Sequence, residues 1–514
     1  MVTRVPPITA RGDHKELLGT SDNDDLVIAG VARALAGGDV LIDLLEGNDT
    51  LEIYRTAAAS GAGTVDIQAH GGNNAVTIRD ISALGGKVNL AAAAGDDVLT
   101  VRGNIAVSLR GAENGSVDIG LGDGNNKITI ARGLQAQGGE IDLLTGDGSD
   151  AISFVSAAVS RGGNISIETG NGDDQITSTR GLQASGGEIS FVTGDGSDVI
   201  SFAGATTSQG GKISIETGNG DDQITSTRGL QATNGEISLV TGDGNDAISF
   251  VGATASQGGG KISIETGNGD DQITSTSGLQ ASRGEISLDT GSGNDSIFIT
   301  GAVRASNGGS VSIETGDGND MIQLQGPVQA GALTIDAGEG TDTLVLISSG
   351  PQQFGQYYQN LLSDNGGIHG MGVENLIVAF YQNTTGISRL QGLADMVAAT
   401  PGSNLLLHID SMGIRGGLGS GGRDINLANI FDTGPDVFDK IIMSGSHNNT
   451  LAIRGSLDSN NYAGNQLVII GDEKDTVKLS SDWIDSGLNI GDYEVFNNAG
   501  DALLIQHQIQ VLVG

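Results

Sequence analysis

The chain has 514 residues, with 62 Asp and Glu against 25 Lys and Arg, for a net charge of −37. That balance excludes nucleic acid as a partner, because a nucleic-acid binder needs a basic footprint, and it argues against anionic membrane surfaces. Gly numbers 85 without collagen's period, cysteine is absent and aromatics are 3%, so the core must be thin and built from Ile, Val and Leu, with no disulfide staple and no thiol chemistry.

Residues 1–18, ending in ARGDHKELL, form an N-terminal segment without the apolar run of an export signal. Any route out of the cell is therefore expected to use no cleaved leader. No stretch approaches the roughly 18 apolar residues of a membrane-spanning helix, so no membrane insertion is expected. Arg11-Gly12-Asp13 spells an integrin-type tripeptide, a chance match in a chain this rich in Gly and Asp.

Residues 19–348 are repetitive. TGNGDDQITSTRGLQASGGEIS, from Thr169, returns with few changes from Thr217 and Thr266, and TGDGSDAISFV alternates with it. Aligned on the last Asp, the motif falls at Asp150, Asp174, Asp198, Asp222, Asp246, Asp271, Asp295, Asp320 and Asp342, in steps of 22 to 25 residues. Weaker copies run back through Asn126, Asp97, Asn74, Asp49 and Asp25, which makes 14 stations. Each unit holds two short alternating runs, such as Asp174-Gln-Ile-Thr-Ser-Thr and Asn164-Ile-Ser-Ile-Glu-Thr, and alternation means β-strand. Gly-rich corners, GLQASGG and TGNGDD, join them. Two strands and two corners per 24 residues describe one coil of a parallel β-solenoid, with coils stacked about 4.8 Å apart.

The columns agree with that reading. Ile141, Ile165, Ile189, Ile213, Ile237, Ile262 and Ile286 make one inward ladder. The other strand gives Phe154, Ser178, Phe202, Ser226, Phe250 and Ser275 at one inward position. Large alternates with small, because a ring on every rung would overpack a narrow core. Glu188, Lys212, Glu236, Lys261 and Glu285 alternate in charge along the outer surface.

Stacking brings one Asp per coil to the same corner, joined on many rungs by Asp147, Asp195, Asp243 and Asp317, with Asn171, Asn219 and Asn268 between. Like charges about 4.8 Å apart repel unless something bridges them. A hard cation held by carboxylates and corner carbonyls answers this, and calcium tolerates such an irregular oxygen shell. The alternative is a run of turns closed by Asx hydrogen bonds.

Gly170-Asn-Gly172-Asp-Asp174-Gln-Ile176 and its sisters resemble the repeats-in-toxin (haemolysin-type) nonapeptide G-G-x-G-x-D-x-apolar-x. That family folds as a parallel β-roll with calcium between successive corners. The resemblance covers about residues 19–345 and implies that Asp150, Asp174, Asp198, Asp222, Asp246, Asp271, Asp295 and Asp320 are calcium ligands. Here Thr usually stands for the first Gly, and the motif occupies one corner of a longer coil, so one column of calcium is expected. Coils carrying Asn74 and Asn126 are expected to bind weakly or not at all.

Residues 349–514 read as a β-rich C-terminal domain with strands at Val373–Phe380, 404–409, 439–443 and Gln466–Ile470, a short helix over 390–399 and a Gly-rich connector over 413–424. Residues 465–479 and 493–505 resemble the C-terminal regions of large repetitive bacterial surface proteins. Such proteins are typically exported by type I secretion, so this region is expected to carry an uncleaved secretion signal and to serve in capping or assembly.

Together these features predict an extracellular, calcium-binding structural protein, not an enzyme, that assembles with copies of itself into a surface layer (S-layer), filament or matrix and contacts cell-surface polysaccharide. Rival readings are a solenoid polysaccharide-active enzyme, a secreted adhesin, and an ice-binding module presenting the Thr145, Thr169, Thr193, Thr217, Thr241, Thr266 and Thr290 ladder. The six His are scattered outside the most regular coils, and those coils repeat too faithfully to hide a unique catalytic group.

Overall fold

A computed structural model describes residues 2–108, 114–330, 333–348 and much of 466–513, together with the backbone of the strands at 373–380, 404–410, 423–426, 440–444 and 449–453. It is an all-β parallel solenoid of about 14 coils of about 24 residues, with a β-rich C-terminal part. No helix occurs among the described residues. The expected helix at 390–399 and the connector at 413–422 lie outside them; residues 423 and 424 open the strand Arg423–Asn426.

The chain divides into two compact units, Met1–Ser275 with Gln280–Gly291, and Thr276–Leu279 with Ser292–Gly514. In the first unit one ladder of parallel strands includes Asn164–Glu168, Glu188–Val192, Lys212–Glu216, Glu236–Val240 and Lys261–Glu265. Their register puts Ile165 on Ile189 and Ile189 on Ile213, as the Ile column requires. Lys212 lies 3.1 Å from Glu188 on the outer surface.

The opposite wall differs from expectation. It holds two ladders, so a coil has three strand segments rather than two. Ala151–Phe154 and Gln223–Ser226 belong to one, Ser156–Ser160 and Leu230–Thr233 to the other, and Gln175–Ser185 runs through both with a register shift between Ser178 and Gly181. The run read as the corner GLQASGG is therefore strand: Leu182, Leu230, Ala184 and Ala232 are buried.

The Phe and Ser column is inward throughout, with Phe154 paired to Ser178, Ser178 to Phe202 and Phe202 to Ser226. Phe154 meets Phe191 from the facing wall edge-on, with ring centroids 6.0 Å apart. The buried Ser hydroxyls donate to backbone carbonyls, Ser178 to Val155 and Ser226 to Arg228, so the small rungs leave no polar group unpaired.

In the second unit, parallel stacking persists after the repeat's spelling has faded. Asp342–Ser348 pairs with Val373–Phe380, then Asn404–Asp410, Lys440–Ser444, Gln466–Ile470 and Asp501–Gln506 follow in parallel. Antiparallel pairing enters only late, where Tyr493–Asn498 lies between Ile484–Ile490 and Asp501–Gln506, and the last strand, Gln510–Val513, again pairs in parallel, with Thr476–Leu479.

Candidate metal centre

The corner's shape follows from its glycines. Gly170 and Gly172 have φ of 87° and 136°, values that other residues rarely adopt. A Cβ on Gly172 would also sit 2.1 Å from the carbonyl oxygen of Gly148 in the preceding coil. Both the turn and the stacking distance therefore require glycine at this position.

That turn aims the final Asp of each motif inward. Asp150, Asp174, Asp198, Asp222, Asp246 and Asp271 are at most 2% exposed, and so is Asp320 in the second unit. The backbone N–H of each donates to Oδ1 of its counterpart in the next coil: Asp150 to Asp174 at 2.7 Å, Asp174 to Asp198 at 2.8 Å, Asp198 to Asp222 at 2.7 Å, Asp222 to Asp246 at 2.8 Å and Asp246 to Asp271 at 2.7 Å. In the second unit Asp295 donates to Asp320 and Asp320 to Asp342. These bonds run between coils, so the column is not a set of Asx turns. The column starts at Asp24, one residue before the station read from the sequence, because Asp25 is the first residue of its strand and pairs with Thr50.

Oδ2 is different. In Asp49, Asp97, Asp150, Asp174, Asp198, Asp222, Asp246 and Asp320 it is buried and accepts no hydrogen bond. A buried charge without a partner is costly, and burial raises the pKa of these carboxyls, to about 7 at Asp174 and Asp222. The Thr169 hydroxyl lowers the Asp174 value, but it points to the Thr193 carbonyl 3.4 Å away rather than to Oδ2.

The chain contains its own control. Asn126 occupies the same place, its N–H donating to Asp150 Oδ1 at 2.6 Å. Its Nδ2, standing where Asp has Oδ2, donates to the carbonyls of Gly122, Gly124 and Thr145 at 2.8, 3.2 and 2.8 Å. Asn74 does the same toward His70 and Gly72. The pocket beside this atom is thus lined by backbone oxygens and suits a donor or a cation.

The remaining sequence candidates lie elsewhere on the corner. Asp147, Asn171, Asp195, Asn219, Asp243, Asn268 and Asp317 are exposed at its tip. Asn alternates with Asp there, and Asn171, Asn219 and Asn268 each donate a side-chain amide to the preceding Asp. Asp147, Asp195 and Asp243 of this outer ladder are each served by an amide of the next coil. A third ladder that sequence reading missed runs beside it, with the N–H of Ser197 donating to Asp173 and that of Asn245 to Asp221. Its signal was the residue just before each inner Asp.

Among the described residues no three His, Asp or Glu side chains lie close enough together to hold a metal. A cation in the inner column would rest on one carboxylate per coil and on backbone carbonyls. With only hard oxygen donors, that set fits calcium and not zinc.

The Thr ladder proposed as an ice-binding face is interior: Thr145, Thr169, Thr193, Thr217, Thr241, Thr266 and Thr290 are all 0% exposed. Most of these hydroxyls bond to the carbonyl of the next Thr in the ladder. They cannot present an array to ice.

No protein-family model matches the chain, and no curated protein does. Among solved structures it is similar to a hyperactive, Ca2+-dependent, β-helical antifreeze protein from an Antarctic bacterium, with a TM-score of 0.41 and 15% identity, covering 76% of this chain and 95% of that one.

Proposed function

We propose that the protein is an extracellular, calcium-binding structural protein that assembles with copies of itself into a surface layer, filament or matrix, rather than an enzyme. The observation that carries the calcium reading is Oδ2 of Asp174, which is buried without a donor where Asn126 places an amide among three carbonyls. At neutral pH an ionised carboxylate in that pocket calls for a cation, and a shell of carboxylate and carbonyl oxygens favours calcium. Asp150, Asp174, Asp198, Asp222, Asp246, Asp271, Asp295 and Asp320 would each supply a carboxylate. The ion would neutralise the column and tie neighbouring coils together.

The corner's resemblance to the repeats-in-toxin motif supports the same ion. The C-terminal resemblance to type I-secreted surface proteins supports an extracellular location and cell-surface polysaccharide as a further contact. The acidic balance of the chain speaks against nucleic acid.

The test is far-UV circular dichroism and elemental analysis of the purified full chain at neutral pH, before and after chelation. The β signal is expected to fall with chelator and to return with calcium but not with the same concentration of magnesium. An unchanged spectrum after exhaustive chelation, in protein that holds no metal, overturns the reading.

A further inference from the structure

We propose that the carboxamides of Asn74 and Asn126 stand in for the cation, so that these two coils close without metal and take none up. The inference rests on the calcium reading of the Asp coils and extends it to how the ion column is divided.

The geometry at Asn126 is complete. Its Oδ1 accepts the N–H of Asp97 at 3.0 Å, as an Asp Oδ1 does in the other coils. Its Nδ2 reaches carbonyls four and two residues back and one in the next coil. Residues 74 and 126 are 2% and 1% exposed, and neither leaves a side-chain atom orphaned. By position, the carbonyls that Nδ2 engages at Asn126 correspond to Gly146, Gly148 and Thr169 around Asp150. An amide brings two donors and no charge, and a cation brings charge and no donor; each satisfies a ring of carbonyl oxygens. A carboxylate alone satisfies none of them.

Two consequences follow. Asp49 and Asp97 each have an Asn coil as neighbour, so their carboxylates are separated along the column. The unbroken run of metal-requiring coils in the first unit starts at Asp150 and continues through Asp174, Asp198, Asp222, Asp246 and Asp271. The amide-closed coils are therefore a metal-free footing beside which that run can order.

The experiment uses the full chain and three variants, Asn126→Asp, Asp174→Asn and Asp174→Ala. Bound calcium is counted by elemental analysis, and thermal melting is followed at neutral pH with chelator. Asn126→Asp is expected to gain one ion and to melt lower than the unmodified chain in chelator. Asp174→Asn is expected to lose one ion yet melt no lower in chelator, whereas Asp174→Ala loses the ion and melts lower. Should a variant fail to fold, hydrogen exchange on the unmodified chain decides: in chelator the N–H groups of Asp49 and Asp97, which donate to Oδ1 of Asn74 and Asn126, are expected to stay protected longer than those of Asp174 and Asp198. An Asn126→Asp chain with no additional ion, an Asp174→Asn chain as unstable as the Ala variant, or equal exchange in the two sets overturns the proposal while the calcium reading stands. An unmodified chain that holds no calcium overturns both.

Discussion

The backbone N–H of Asp174 donates to Oδ1 of Asp198 at 2.8 Å, while Oδ2 of the same Asp198 carboxyl, equally buried, accepts nothing. One oxygen thus builds the coil-to-coil ladder and the other is left for whatever neutralises it. The same split recurs along the column, so metal and protons should compete for one set of atoms.

Stability without metal should therefore fall as pH rises. Burial lifts the pKa of Asp174 and Asp222 to about 7, above the ordinary carboxylate value of the unfolded chain. Asp150, Asp198 and Asp246 shift upward from the same cause. A group whose folded pKa is raised contributes stability that is complete below its unfolded pKa and is lost as pH climbs through the folded one. Metal-free protein, prepared by exhaustive dialysis, should melt highest near pH 4 and progressively lower toward pH 8, within a window set by about 4 and about 7. Calcium at pH 8 should restore the melt. Metal-free protein that grows more stable with rising pH would contradict this account of the buried carboxyls.

Core spacing gives a second expectation. Ser178 sits between Phe154 and Phe202 on neighbouring rungs. Ser178→Phe would put three rings in succession and should destabilise by about 1–3 kcal/mol, the usual order for overpacking. Ser166→Ala, on the outer surface of the facing wall, should change stability by under about 0.5 kcal/mol. Denaturant melts of the two variants with calcium present separate them.

Much of this was legible in the sequence, and what was not has physical causes. The Ile165, Ile189 and Ile213 column and the Phe154, Ser178 alternation fixed two walls, because period-2 patterning repeated over many coils leaves one inward set. The Leu182 and Ala184 strand escaped because two apolar positions flanked by Gly181, Gly186 and Gly187 read as a turn. Its evidence is the stacking itself, which buries even Ala184. The inner Asp column was visible as a column, but the direction of each carboxyl depends on the left-handed backbone at the corner, and only the geometry separates Asp174 from the exposed Asn171. Past residue 348 the period is lost because the strands at 373, 404, 440 and 466 begin at uneven intervals. Parallel pairing needs strands in register, not loops of equal length.

Two glycines test the corner. Gly172 and Gly210 both have positive φ, 136° and 77°. A Cβ on Gly172 would strike the Gly148 carbonyl, whereas one on Gly210 meets nothing within 4 Å. Gly210→Ala should cost only the left-handed backbone penalty, about 1–2 kcal/mol. Gly172→Ala adds a backbone collision between coils, so it should cost clearly more and reduce calcium uptake as well. Equal effects on melting and on bound calcium would mean that corner stacking does not set the site.

Assembly is the last expectation. The strand Ile484–Ile490 pairs, among the described residues, on one side only, with Tyr493–Asn498. It exposes Ile484, Leu488 and Ile490 at 69%, 62% and 54%. An edge strand carrying large exposed apolar side chains is a template for pairing with another chain. The net charge of −37 opposes close approach of two copies in low salt, and calcium that fills the inner columns lowers that charge. Ordered particles should therefore form as calcium is titrated into the purified chain, visible by sedimentation and electron microscopy, and disperse with chelator. Leu488→Lys with Ile490→Lys places like charges on the edge and should abolish the particles while bound calcium and the β signal stay as in the unmodified chain. Particles that survive both substitutions would move the joint away from this strand. A chain that binds calcium yet remains monomeric at high concentration would favour a secreted binding module over a structural role.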